Sequence, residues 1–227
     1  MSSHSDLLTA IKSFGNLTSD PICNYVTNKE FIEEYRNFSR RSSASISIFH
    51  LNIRSLNSNN AKLFQLLSGL SNPFEVIVLS EIWSFNITFY SNLFPNFNFF
   101  YQLPTTSDIG GIGIYVHNSF KVAIHPFPPP TNSDFIFESL NLEISKNNHS
   151  IFISGFYRHP SPTLSKFNNY LEALMLTFFN KFTNIDCICI GDMNANLLDY
   201  GLEIEITRFL DIFSILIIHR LPQCLQE

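Results

Sequence analysis

The sequence predicts a layered α/β sandwich built on mixed β-sheets. Three observations point there. Short runs rich in Ile, Val and Phe recur with the length of strands. Helical stripes of apolar residues separate some of them. The middle of the chain reads as hairpins, which a purely parallel, doubly wound sheet would lack. Composition fits a packed core: of 227 residues, 45% are hydrophobic and 15% charged, which excludes a wholly disordered or fibrous chain. At that length one large domain, with or without a short leader, accounts for the chain.

In chain order, residues 1–44 are polar and punctuated by Gly15, Pro21 and the run R-R-S-S-A-S at 40–45. They read as a leader, partly disordered or carrying a short helix around Glu30–Phe38, ahead of a domain over 45–227. Strands are predicted at S-I-S-I-F-H-L (45–51), F-E-V-I-V-L (74–79), G-I-G-I-Y-V (111–116), S-I-F-I-S-G-F (150–156) and I-D-C-I-C-I (185–190). F-I-F-E-S-L-N-L-E-I (135–144) alternates, as a half-buried antiparallel strand does. A helix over 61–70 places Leu63, Phe64, Leu66, Leu67 and Leu70 on one stripe, with Asn60 as N-cap and Pro73 beyond its end. Residues 163–182 repeat the pattern after Pro160 and Pro162, and Leu202–Phe213 forms a third, weaker stripe. The segment H-P-F-P-P-P-T at 125–131 is a proline-stiffened loop between strands.

Lys and Arg total 14 against 19 Asp and Glu, a formal charge of −5. A protein binding nucleic acid by phosphate neutralisation alone should be basic, so such a role must rest on a local site that uses a metal. The cysteines (Cys23, Cys187, Cys189, Cys224) show no C-x-x-C spacing, and Cys187 and Cys189 share one strand face. They read as buried small hydrophobes more readily than as metal or redox ligands. No secretory or membrane-spanning segment is evident, so N-x-S/T triplets such as those at Asn86 and Asn148 carry little weight. The expected setting is reduced and intracellular, nuclear or cytoplasmic.

The polar residues just beyond the strands are the informative ones. His50-Leu51-Asn52 ends the first, Ser80-Glu81-Ile82-Trp83 the second, Gly155-Phe156-Tyr157-Arg158 a third, and Gly191-Asp192-Met193-Asn194 a fourth. Strand ends of layered α/β proteins are where ligands are held. Each residue also has a plain reading: Asn52 closing a turn, Glu81 as an exposed carboxylate, Tyr157 as a packing residue, Asp192–Asn194 as an Asx turn. Four in chain order are more specific than any one. Carboxylate and amide oxygens are hard donors that suit Mg²⁺. A second carboxylate could orient an attacking water, and a phenol and an Arg could contact phosphate oxygens. The chemistry this rim fits is phosphodiester hydrolysis.

The motifs H-L-N-I-R-S-L, L-S-E-I-W, G-G-I-G-I-Y-V, F-Y-R-H-P and I-G-D-M-N-A-N, in this order, resemble the endonuclease/exonuclease/phosphatase family. More closely, they resemble the N-terminal endonuclease of non-LTR (LINE-type) retrotransposons, which precedes a reverse transcriptase. C-N-Y-V-T-N-K-E-F in the leader is similar to the run-in of such elements. The resemblance spans residues 46–215 and implies a four-layer α/β sandwich, two mixed sheets face to face with helices outside. It implies Glu81 as the main metal carboxylate, and Asn52 at the metal, its bound water or the phosphate. Tyr157 would contact the phosphate, with Arg158 as a further substrate contact. Asp192 would position the nucleophile and Asn194 would support the transition state. Gly110-Gly111 would be a structural turn. The implied cofactor is Mg²⁺ (or Mn²⁺), the implied substrate DNA, nicked to leave a 3′-hydroxyl for target-primed reverse transcription. Neither a membrane nor a protein partner is implied.

The sequence departs from that family after residue 200. There the pattern ends in a further strand and a Ser/Thr-Asp-His run, whereas this sequence contains neither S-D-H nor D-H; His219, in I-L-I-I-H-R-L-P-Q, does not fit. The expectation is a C-terminally truncated domain without its last strand, impaired in catalysis, with an exposed sheet edge prone to aggregation. Two functions follow: a divalent-metal nuclease with weakened turnover, or a non-catalytic relic of a retrotransposon protein. Phosphomonoester hydrolysis is a distant third.

Overall fold

The structure, a computed structural model, describes residues 33, 46–69, 74–83, 87–105, 109–126, 137–160, 164–182, 185–197 and 201–218, the last six by backbone alone. Apart from Glu33, all lie in the unit Ala44–Glu227. The expected leader, the segment 127–131 of the proline loop, Cys23, Cys224 and His219 lie outside the described residues.

Among the described residues from Ile46 onward, twelve elements follow one another: β1 (Ile48–Asn52), α1 (Leu56–Ser68), β2 (Val76–Ser80), a 3₁₀ helix (Ile87–Asn92), β3 (Phe97–Gln102), β4 (Ile112–His117), β5 (Lys121–Ile124), β6 (Phe137–Lys146), β7 (His149–Arg158), α2 (Leu164–Lys181), β8 (Asp186–Asp192) and α3 (Ile204–Ile218). They form two four-stranded sheets, ordered β1-β2-β4-β3 and β5-β6-β7-β8. In each, one outer pair is parallel (β1 with β2, β7 with β8) and the rest are antiparallel. This is the predicted sandwich of two mixed sheets.

Residue shape sorts the layers. Between the sheets lie mostly branched aliphatics: Val76, Val78, Ile112, Ile114 and Val116 from one, Leu140, Leu142, Ile144 and Ile153 from the other. Rings fill the space between the second sheet and α2 and α3, where Phe137 and Phe156 meet Phe167, Tyr170 and Phe209. Phe156 and Phe167 stand edge to face, with centroids 5.7 Å apart. A fully buried ring of this kind stabilises by roughly 1.5–3 kcal/mol. On the outside of the first sheet, Ile77 lies beside Phe64 and Leu67 of α1 and Phe94.

Most predicted elements are present, with shifted ends. The first helix begins at Leu56, not 61, and its N-cap is Ser55, whose Oγ accepts from the Ser58 amide at 3.2 Å. Asn60 lies in the second turn and donates to the Leu56 and Asn57 carbonyls. The apolar stripe marks only the packed part of a helix, and the polar L-N-S-N-N turn before it leaves no stripe. β3 and β5 were not expected. Both sit at sheet edges, where half-exposed residues blur the alternation. β6 and β7 are joined by Asn147-Asn148, both left-handed (φ 52° and 64°), as a two-residue type I′ turn requires. Cys187 and Cys189 are free thiols that pack on the helix-side cluster. Both are half-buried, not fully buried as expected; a hydrogen bond with Cys187, then burial, pushes the Cys189 thiol well up, which suits an inert packing residue.

Candidate active site

The two sheets face each other, so the exits of β1 and β2 lie against those of β7 and β8. Asn52, the last residue of β1, pairs in register with Ser80, the last of β2. Tyr157 of β7 pairs with Asp192, the last of β8. A single amide closes the gap: Asn52 Nδ2 donates to Glu81 Oε1 at 2.8 Å and to Asp192 Oδ2 at 2.6 Å. One nitrogen thus joins residues 140 apart in sequence, Asn52 and Asp192.

Backbone conformation aims these side chains. Glu81 (φ 58°), Trp83 (φ 46°), Arg54 (φ 45°), Ser55 (φ 83°) and Asn194 (φ 45°) are all left-handed non-glycine residues at the strand exits. Such conformations cost on the order of 1–3 kcal/mol each and concentrate where side chains must be held for a task. Beyond β2, the Ile82 and Trp83 amides donate to the Gly111 and Gly110 carbonyls at 3.4 and 3.1 Å. In the G-D-M-N run, Asp192 Oδ1 accepts from the Asn194 amide at 3.1 Å, which is the Asx turn.

Arg158 is 4% exposed and faces inward. Its Nε donates to the Met193 carbonyl at 2.6 Å and an Nη to that of Asn194, while Asn194 Nδ2 donates back to the Arg158 carbonyl at 2.6 Å. The guanidinium expected at the substrate therefore braces the turn that carries Asp192. Asn194 itself is exposed, and Asn52, Glu81 and Asp192 are half-buried.

The electrostatics are those of an under-neutralised anionic cleft. Among the described residues neither Glu81 nor Asp192 forms an ion pair with Lys, Arg or His. Burial first, then the charges of Glu81, Asp192 and Glu138, push the Tyr157 phenol up to about 12, so it is a neutral donor at ordinary pH. His50 lies two residues before Asn52, with Nε2 3.1 Å from Ser80 Oγ; burial lowers its pKa and Asp192 opposes that. Three or more His, Cys, Asp or Glu side chains do not cluster as a metal cage among the described residues. Mg²⁺ needs less: one or two carboxylates, a further oxygen and several retained waters. The two carboxylates, with the Asn52 amide between them and the charge of Arg158 acting on Asp192 from behind its turn, fit such an ion.

Sequence reasoning missed two residues beside this rim. Glu138, 1% exposed, lies opposite Tyr157 on β6, and His159 follows Arg158. A signal existed: Glu138 has the strand phase of Leu140, Leu142 and Ile144, the face that looks between the sheets.

The two packed sheets with outer helices and a rim at the strand exits define the endonuclease/exonuclease/phosphatase fold. Solved structures with which the chain shares it include the endonuclease domain of TRAS1, a telomere-specific non-LTR retrotransposon (TM-score 0.52, 15% identity, 75% of this chain and 72% of that one). TDP2 from C. elegans matches at TM-score 0.55 and 13% identity, over 81% of this chain and 71% of that one. The 3′ phosphatase NExo from Neisseria, bound to a product DNA hairpin, matches at 0.53 and 16%, over 75% and 71%. At such identities the likeness is one of fold. No protein-family model and no curated protein sequence matches the chain. Among the described residues no helix is long and apolar enough to cross a membrane.

Proposed function

We propose that this chain carries a divalent-metal phosphodiesterase site for DNA, of the retrotransposon-endonuclease type. The observation that carries it is the Asn52 amide bridging Glu81 and Asp192 across the two sheets. Glu81 and Asn52 would hold Mg²⁺ or Mn²⁺. Bound there, the ion supplies charge neutralisation at the scissile phosphate. The neutral Tyr157 phenol donates to a non-bridging phosphate oxygen. Asp192 has accepting capacity beyond its two bonds and orients the attacking water. Asn194, on the same turn, presents its side-chain oxygen, and Arg158 keeps the turn in place. The DNA-bound neighbours with this fold support DNA as the substrate class.

Mn²⁺ should bind the wild type and not the Glu81→Gln variant, and a short duplex should bind only with the ion present. Metal-dependent nicking of supercoiled DNA by the wild type should be lost in Asp192→Ala. Equal ion binding by wild type and Glu81→Gln, or equal nicking by wild type and Asp192→Ala, overturns the reading.

A further inference from the structure

Glu138, Tyr157 and Asp192 form one transverse row across the second sheet, each in register with the next on β6, β7 and β8. Tyr157 and Asp192 belong to the site described above; Glu138 does not, and its surroundings are unusual. Its side chain is wholly buried, yet it receives four contacts. Oε1 accepts from the Thr105 amide at 3.1 Å and the Thr105 hydroxyl at 2.9 Å, and lies 3.1 Å from His159 Nε2. Oε2 accepts from the Gly111 amide at 3.4 Å. The exit of β3, the entry of β4 and the exit of β7 are thereby tied to one carboxylate.

The pair is built into the fold. A Cβ on Gly110 (φ 114°) would lie 3.0 Å from Glu138 Oε2 and 3.2 Å from the His159 ring, so the Gly110-Gly111 turn closes directly over it. His159 is two residues beyond Tyr157 and leans edge-on against its ring, with centroids 4.9 Å apart and planes at 72°. Its side chain is 17% exposed. With Nε2–H donated to the carboxylate, Nδ1 has no hydrogen-bond partner among the described residues; in the imidazolium form it carries the second N–H, the one that donates to a phosphate oxygen.

We propose that His159 is a second phosphate contact of this rim, one side chain along from Tyr157, with Glu138 as its positioning residue. This rests on the function proposed above and extends the substrate: one phosphate lies at Tyr157 and Asp192, and the same or an adjacent phosphate of the strand reaches the imidazole. The assignment also answers a charge problem, because a polyanion approaching Glu81, Asp192 and Glu138 needs a donor on the protein side, and Arg158 is turned away.

The test is binding of a short DNA duplex with Ca²⁺ in place of Mg²⁺, read by affinity and by the His159 ring resonances. The wild type should bind with a shift of those resonances. His159→Asn should bind about tenfold more weakly, the scale of one charge-assisted contact. Glu138→Gln should keep the imidazole but change its ring-nitrogen signature and its shift on binding, which a merely structural role would leave alone. Should Glu138→Gln fail to fold, the partly exposed His159→Asn decides. Unchanged affinity in His159→Asn with wild-type binding intact overturns this proposal alone. No duplex binding by the wild type, with Ca²⁺ present, overturns it together with the function on which it rests.

Discussion

An added Cβ at Gly191 would lie 1.9 Å from the Phe156 carbonyl oxygen, across the β7–β8 ladder. No side-chain rotation relieves a clash with backbone, so Gly191→Ala must push β8 from β7 and carry Asp192 with it. The expected cost is on the order of 3 kcal/mol, read as a lowered urea midpoint; under the proposed function the stabilisation expected from Mn²⁺ in the wild type is lost with it. At this scale the sequence was legible for local turn chemistry: Asp192 and Asn194 beside a glycine announce the Asx turn in which Asp192 Oδ1 accepts from the Asn194 amide. It was silent on direction. An arginine after a tyrosine at a strand end reads the same whether its guanidinium meets solvent or, as in Arg158, two carbonyls of a neighbouring turn. Glu138 was hidden because one carboxylate in an alternating strand looks like an exposed position until its phase is matched to the leucines that follow it.

At the scale of elements, α1 shows what hydrophobic periodicity reaches and what it omits. The stripe located Leu63 and Leu67, both buried, but the helix begins seven residues before Leu63, at Leu56, and Ser55 caps it. Ser55→Ala should therefore destabilise by about 1 kcal/mol in thermal unfolding. Asn60→Ala, at the residue whose place before the stripe suggests a cap, should stay within about 0.5 kcal/mol of wild type. Equal losses at the two sites would reverse that assignment. Central strands such as β2, buried at every position, announce themselves as unbroken apolar runs. Edge strands such as β5 (Lys121–Ile124) do not, because most of their side chains face water.

For the whole molecule, the excess of rings makes the core sensitive to alkali. Burial raises the phenols of Tyr90, Tyr115 and Tyr157, and also that of Tyr170 against its bond to Ser139. Each raised phenol keeps its proton in the folded chain at a pH where the unfolded chain has lost it. Stability is thus fully present below pH ~10 and declines as pH rises from there through the folded values, about 12 for Tyr157. Urea midpoints should fall between pH 9 and pH 11, and Tyr115→Phe should flatten that slope. A flat wild-type profile would contradict it. The sandwich itself was readable in the strand runs. The meeting of its two halves was not, because pairing across 140 residues leaves no local trace. That meeting has a temporal side. A chain emerging from the ribosome has made Asn52 and Glu81 long before Asp192 exists, so whatever this cleft cuts or grips stays beyond the reach of unfinished polypeptide.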